Sequence, residues 1–197
     1  LITLMKIIII TSSDIRHTYF RKYLALDAKV KVLKSFCEVK SIKPKEVLET
    51  NENSKLLRIK HINKRNFYEK EFFLPFIINV PDQSNPKFIQ KNQINDDEIV
   101  NQIIDLNPDL IIAYGCSIIK RKLIQLFNKR FLNLHLGLSP YYRGSGTNFW
   151  PFYFEELEFV GATFMYLDQG IDTGKIIHQI RARIYENDNI HIIYEYI

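Results

Sequence analysis

Glycine is scarce in this sequence: seven in 197 residues, with none before Gly115. Two cysteines, Cys37 and Cys116, lack CxxC spacing, so neither a disulfide framework nor a zinc site is indicated, and both read as reduced core thiols. No apolar run approaches the roughly 20 residues that cross a bilayer, since Ile7 to Ile10 and Leu110 to Ala113 are among the longest. Nor is there the basic stretch, longer apolar region and small-residue cleavage site of a secretory signal, which points to the cytoplasm. Alanine occurs five times against 30 isoleucines, and Lys outnumbers Arg 18 to 9. That skew suggests a coding bias and weakens the inference from a net charge of +5 to nucleic acid, for which no Lys/Arg run longer than three residues speaks.

What is there fits a folded domain, with 46% hydrophobic and 25% charged residues. The continuous β-branched run from Lys6 to Thr11 reads as a strand buried on both faces of a parallel sheet. Thr11 to Asp14 offers N-cap side chains for a helix through Tyr19, Phe20, Tyr23 and Leu24, and Val30 to Phe36 follows as a second strand. Residues from about Lys40 to Lys91 mix charge and apolarity and predict only helical segments and loops. Order returns with an N-cap at Asn95, a helix through Ile104 that stops at Asn107-Pro108, and a strand from Asp109 to Tyr114. A helix over Ser117 to Phe127 and a strand over Phe131 to His135 complete the alternation. The pattern predicts an α/β fold, a doubly wound, mostly parallel sheet.

Six of the seven glycines fall between Gly137 and Gly174, marking loops that need unusual backbone or close approach to a ligand. In Phe131-Leu-Asn-Leu-His135 the alternation puts Asn133 and His135 on one side of a strand end, where ligands of open sheets bind. The plainer alternative is that both satisfy backbone groups there. Arg143 stands in the turn-rich loop Leu138-Ser-Pro-Tyr-Tyr-Arg-Gly144, either as an anion ligand or as a solvated charge, and Thr147 is placed to cap the helix holding Trp150 and Phe154. The strand from Gly161 to Leu167 then enters Asp168-Gln-Gly-Ile-Asp-Thr-Gly174, which has too few oxygen ligands for calcium. A carboxylate near a histidine suits proton transfer instead.

Taken in order, Asn133-Leu-His135, the loop from Leu138 to Gly144 and the loop from Asp168 to Gly174 resemble the formyltetrahydrofolate-dependent formyltransferase family, and Asn107 to Gly115 extends the likeness upstream. The resemblance implies a Rossmann-like domain over residues 1–197, lacking or truncated in a C-terminal extension, that uses formyltetrahydrofolate as donor and no metal. It implies catalytic roles for Asn133, His135 and Asp172, and donor contacts from Tyr114, Cys116, Ile118, Asp168, Gly170 and Ile171. A methionyl-tRNA acceptor would go with an additional C-terminal domain, and a glycinamide ribonucleotide acceptor with a glycine-rich phosphate loop where Thr11 to His17 stands. The sugar-nucleotide N-formyltransferases remain the nearest likeness, implying a nucleotide-linked amino sugar as acceptor, with Arg16, His17 and Arg143 on the substrate side and a homodimer left open. Formyltetrahydrofolate hydrolysis and a non-catalytic nucleotide-binding role stay as alternatives.

Overall fold

The computed structural model describes residues 3–39, 52–188 and 190–193. Seven strands form one sheet in the order β3-β2-β1-β4-β5-β6-β7. These are β1 (Met5–Ser12), β2 (Val30–Val39), β3 (Pro86–Gln90), β4 (Leu110–Tyr114), β5 (Phe131–His135), β6 (Gly161–Tyr166) and β7 (Ile176–Arg181). The first five strands pair in parallel, whereas β6 is antiparallel to both β5 and β7. The chain winds outward from β1 through β2 to β3 and then crosses back to β4, so the order reverses between β1 and β4. In open α/β sheets this reversal opens a crevice at the carboxyl ends of the central strands.

β1 occupies the centre because four consecutive isoleucines suit a strand covered on both faces: Ile7 to Ile10 are all buried. Ile8 and Ile10 join Phe36, Ile103, Ile111, Leu123 and Phe131 in one core cluster, which α3 (Asp97–Leu106) and α4 (Arg121–Leu126) help to build. By strand alternation Ile7 and Ile9 face the other side, where α1 (Ile15–Leu24) packs on α2 (Glu52–Asn79). Short helices α5 (Trp150–Tyr153) and α6 (Ile190–Ile193) lie later in the chain. Among the described residues no helix is long and apolar enough to cross a membrane.

Several local expectations need correction. Residues 52–79 form one helix of 28 residues, and 86–90 form a parallel strand, inside the stretch where the sequence predicts only helical segments and loops; residues 40–51 of that stretch lie outside the described residues. Asp96, not Asn95, is the N-cap of α3. The Asn95 amide instead ties down the segment after β4, donating to the Ile118 carbonyl at 3.0 Å and accepting from the Lys120 N–H at 2.7 Å. With those groups held there, the helix expected from Ser117 begins only at Arg121. Thr147 does not cap α5, whose N-cap is Phe149, because its hydroxyl donates to the Leu136 carbonyl. Asp14 caps α1 by position, and its side chain makes no capping hydrogen bond to the helix.

Candidate functional site

Strand pleating and the sheet order together build the site. Asn133 pairs with Ala113 on β4 and with Met165 on β6, and His135, two residues on, projects from the same face at the end of β5. Beyond β6 the chain leaves beside β5, where the Leu167 N–H donates to the Phe131 carbonyl at 2.8 Å. It then turns back toward β7, and this return brings Asp172 against both side chains. Asn133 Nδ2 donates to Asp172 Oδ1 at 2.8 Å, and Asp172 Oδ2 lies 3.2 Å from His135 Nδ1. The same Oδ2 accepts the Gly144 N–H at 2.9 Å, which joins the glycine loop to the cluster.

His135 Nε2 faces the Tyr142 carbonyl at 3.0 Å. Both ring nitrogens therefore look at acceptors; a ring with protons on both satisfies both, whereas a neutral ring satisfies one. The turn after β5 is braced from the antiparallel strands. Ser139 N–H donates to Thr163 Oγ1 at 3.0 Å, Gln179 Nε2 donates to the Ser139 carbonyl at 2.7 Å, and Ser139 Oγ donates to the Asp172 carbonyl at 3.3 Å. The Ser139–Pro140 peptide is cis. Within the Asp168 to Gly174 loop, Asp168 Oδ1 accepts from the Gly170 N–H at 3.0 Å and from Thr173 Oγ1 at 2.8 Å, so this carboxylate shapes its own loop.

Two cavities meet at this cluster. The larger, about 450 Å³, is walled by Asp14, Arg16, His17, His61, Arg65 and the segment 144–149, together with Asn133, His135 and Asp172. A smaller one of about 140 Å³ is walled by residues 116–119 and 167–171. Gly115, Cys116, Asn133 and Asp172 border both. Gly115 has φ +62°, and a side chain there would run into the His17 ring. His17 is itself buried, with Ser12 Oγ 2.5 Å from its Nδ1 and the Tyr114 ring edge-on at 4.3 Å.

Of the residues singled out from the sequence, the structure brings Asn133, His135 and Asp172 into one cluster, and Cys116, Ile118, Asp168, Gly170 and Ile171 onto the smaller cavity. Arg16 and His17 line the larger cavity, and so does Tyr114, on the opposite side from the donor contacts with which the resemblance grouped it. Arg143 is exposed and borders neither cavity, although its neighbour Gly144 contacts Asp172. Cys37 is a buried core thiol, as expected. Cys116 is half-buried at the cavity junction instead, and burial followed by the nearby Glu38 carboxylate pushes its thiol up to about 12.

Sequence reasoning missed Glu38, His61 and Arg65. Glu38, buried at the end of β2, accepts the Asn92 N–H at 2.9 Å and the Ser117 N–H at 2.7 Å through its two oxygens. It thus clamps the segment that walls the smaller cavity. His61, Arg65 and Glu69 recur every fourth residue on α2, a one-face signal that was present but lay in a stretch with no clear periodicity.

Comparison with known proteins adds the following. A family model described as "Formyl transferase" matches residues 20–197. A protein named methionyl-tRNA formyltransferase from Thermodesulfovibrio yellowstonii is 30% identical over 128 residues, covering 64% of this chain and 41% of that one. Its namesake from Clostridioides difficile is 33% identical over 107 residues, 53% of this chain and 34% of the relative. The alignments thus span about two fifths or less of these curated relatives. Among solved structures, the phosphoribosylglycinamide formyltransferase from Anaplasma phagocytophilum superposes with a TM-score of 0.64 at 15% identity, covering 98% of this chain and 79% of that one. That likeness concerns the fold.

Proposed function

The chain belongs to the formyl transferase family, and from that membership we propose that it transfers a formyl group from formyltetrahydrofolate to an amine, the acceptor being a nucleotide-linked amino sugar. The observation that carries the transfer reading is the cluster of Asn133, His135 and Asp172, two of which, Asn133 and Asp172, stand on the wall common to the two cavities. Such an arrangement suits a reaction in which a donor on one side and an acceptor on the other meet at one carbonyl.

The smaller cavity fits the donor by its chemistry. Ile118, Ile119, Leu167 and Ile171 give it apolar walls, and the backbone from Asp168 to Gly170 gives it a polar edge, as a flat hydrogen-bonding heterocycle requires. When the acceptor nitrogen attacks the formyl carbon, a C–N bond forms and the carbonyl oxygen becomes anionic. The Asn133 amide has two N–H donors: one is committed to Asp172, and the other serves that oxygen. His135, flanked by Asp172 and the Tyr142 carbonyl, donates to the oxygen or passes protons as the attacking nitrogen loses one. Collapse then breaks the bond to the folate nitrogen, which takes up a proton. Asp172 holds both partners in place.

The sugar-nucleotide acceptor is supported by the larger cavity, whose size suits a small molecule and whose wall carries Arg16 and Arg65. Methionyl-tRNA is a second reading, favoured by the names of the matched curated relatives. Incubation with formyltetrahydrofolate, followed by release of tetrahydrofolate, separates the cases. Release that depends on an amino sugar linked to a nucleotide supports the proposal, and release that depends on methionyl-tRNA replaces it with the second reading. Release without any acceptor identifies hydrolysis, and silence in every arm overturns the enzymatic reading.

A further inference from the structure

We propose that α2 supplies an anion-binding wall to the larger cavity, with Arg65 as a ligand for the phosphoryl oxygens of a nucleoside-diphosphate acceptor. The inference rests on reading that cavity as the acceptor side. His61 and Arg65 stand one helical turn apart on α2 and both line the cavity, while Glu69, a further turn on, lies behind them. Glu69 Oε1 is 3.5 Å from Arg65 Nε and 3.2 Å from Arg16 Nη1, so one carboxylate orients two guanidinium groups that arrive from different helices. Arg65 thereby stands at the cavity wall with its guanidinium held by the carboxylate behind it.

The setting keeps these guanidinium groups out of open solvent. The side chains of Arg16 and Arg65 are only 21% and 27% exposed, and that of Glu69 is 7% exposed. Charges recessed in this way act through a lower effective dielectric than charges on an open surface. On another part of the cavity wall, Asn148 is 2% exposed and its Oδ1 accepts the Gly161 N–H at 3.0 Å. Its buried Nδ2 has no hydrogen-bond partner among the described residues. A buried donor left in that state is costly, and an acceptor atom on a ligand would satisfy it. Burial, and next the charge of Arg65, hold the His61 imidazole below its ordinary range. It is therefore neutral at physiological pH and retains one N–H donor.

This chemistry selects for phosphate. The guanidinium fork matches phosphoryl oxygens two at a time, which a lysine cannot do. A nucleoside diphosphate and the backbone of a nucleic acid share those oxygens, but a nucleic acid is held by an exposed stripe of Lys and Arg. Recessed arginines in a cavity of about 450 Å³ favour the small molecule.

Isothermal titration of the full chain with UDP, dTDP, CDP, GDP, inorganic pyrophosphate and a short single-stranded RNA ending in CCA tests the inference. At least one of the four nucleoside diphosphates should bind. Its affinity should fall tenfold or more in Arg65→Gln and by a lesser factor in Arg65→Lys, and it should be unchanged in the surface variant Lys122→Gln. Formyltetrahydrofolate affinity, titrated in parallel, should stay within twofold in all three. Undiminished nucleotide affinity in Arg65→Gln and Arg65→Lys that retain the circular dichroism of the unmodified protein would overturn the inference. So would binding of the RNA with none of the diphosphates. Failure of the wider transfer reading registers separately, as no formyltetrahydrofolate binding by the unmodified protein.

Discussion

Asp172 accepts a hydrogen bond from Asn133 across 39 residues of chain, at 2.8 Å. The contact exists because the connection between β6 and β7 folds back over β5, and it fixes the amide before any substrate arrives. An oxyanion donor held in advance needs no reorganisation during the reaction.

Loss of that donor in Asn133→Ala should lower turnover by about a hundredfold to a thousandfold with little effect on substrate binding. His135→Ala should cost at least as much, because it removes both a donor and a proton carrier. Asp172→Asn should slow the reaction and also change its pH profile, since the ring loses its carboxylate partner. Steady-state rates and pH profiles with a true acceptor check all three, and wild-type behaviour in each would sink the mechanism.

The loop from Asp168 to Gly174 is held by its own carboxylate, and this makes it sensitive at Gly170. A side chain at that position would run into the Thr173 side chain, which donates to Asp168. Gly170→Val should therefore displace the loop and weaken formyltetrahydrofolate binding by about tenfold, corresponding to about 1.4 kcal/mol. Far-ultraviolet circular dichroism should be unchanged, because the loop lies outside the sheet. Undisturbed affinity in the folded variant would remove the loop from the donor site.

Glu38 makes a different kind of contribution. Glu38→Ala strips the Ser117 N–H of its acceptor and leaves the Asn92 N–H only Ser117 Oγ, at 3.2 Å, and a hydrogen bond to a charged group contributes on the order of 1.5–3 kcal/mol. Because Ser117 belongs to the wall of the smaller cavity, the variant should raise the KM for formyltetrahydrofolate more than it lowers kcat. In folded Glu38→Gln, removal of the second cause of its elevated pKa should make the Cys116 thiol alkylate faster at pH 8. Equal KM values across these variants would confine Glu38 to a role in stability.

Acid stability has an identifiable contributor at the α1 end of the sheet. Burial pulls the Asp82 carboxyl upward, but hydrogen bonds from Ser84 and the Arg21 guanidinium outweigh it and leave its pKa below the ordinary 3.8. The folded state thus holds the charged form more tightly than the unfolded chain does. The resulting stability is present above the unfolded pKa and is lost as pH falls through the folded one. Asp82→Asn should lower the melting temperature at pH 7, where buried Arg21 loses its counter-charge, and flatten the decline between pH 5 and pH 2. Thermal unfolding across that range decides it; an unchanged acid limb would exclude Asp82 as the source.

How much of this was readable in the chain follows from where each side chain lies. β1 and β4 announced themselves because strands covered on both faces need uninterrupted apolar runs, and Ile7 to Ile10 supply one, whereas β5 showed in its alternation of apolar and polar residues. β3 and β7 did not. β3 is five residues long, opens on Pro86 at an edge and buries only Ile89, while every residue of β7 is exposed, so neither shows a run of buried positions. α2 escaped notice because its sequence mixes charge and apolarity and carries Pro75 within it. Asn133 and His135 were legible as a pair because strand alternation puts them on one side, and the glycine-bearing loop around Asp172 suggested a site without showing where it lands. Arg65 and Glu38 were hidden for a common reason: each acts through a partner distant in sequence, Arg16 by way of Glu69 and Ser117 respectively.

The wall that Gly115, Cys116, Asn133 and Asp172 share divides two cavities built from separate parts of the chain. Beyond that wall, one side draws on α1, α2 and the segment 144–149, and the other on residues 117–119 and 167–171. A partition of this kind lets the two halves diverge independently. Substitutions along α2 can recast what one chamber admits while the opposite chamber keeps its lining, so a single set of reacting side chains can be inherited unchanged through many changes of clientele.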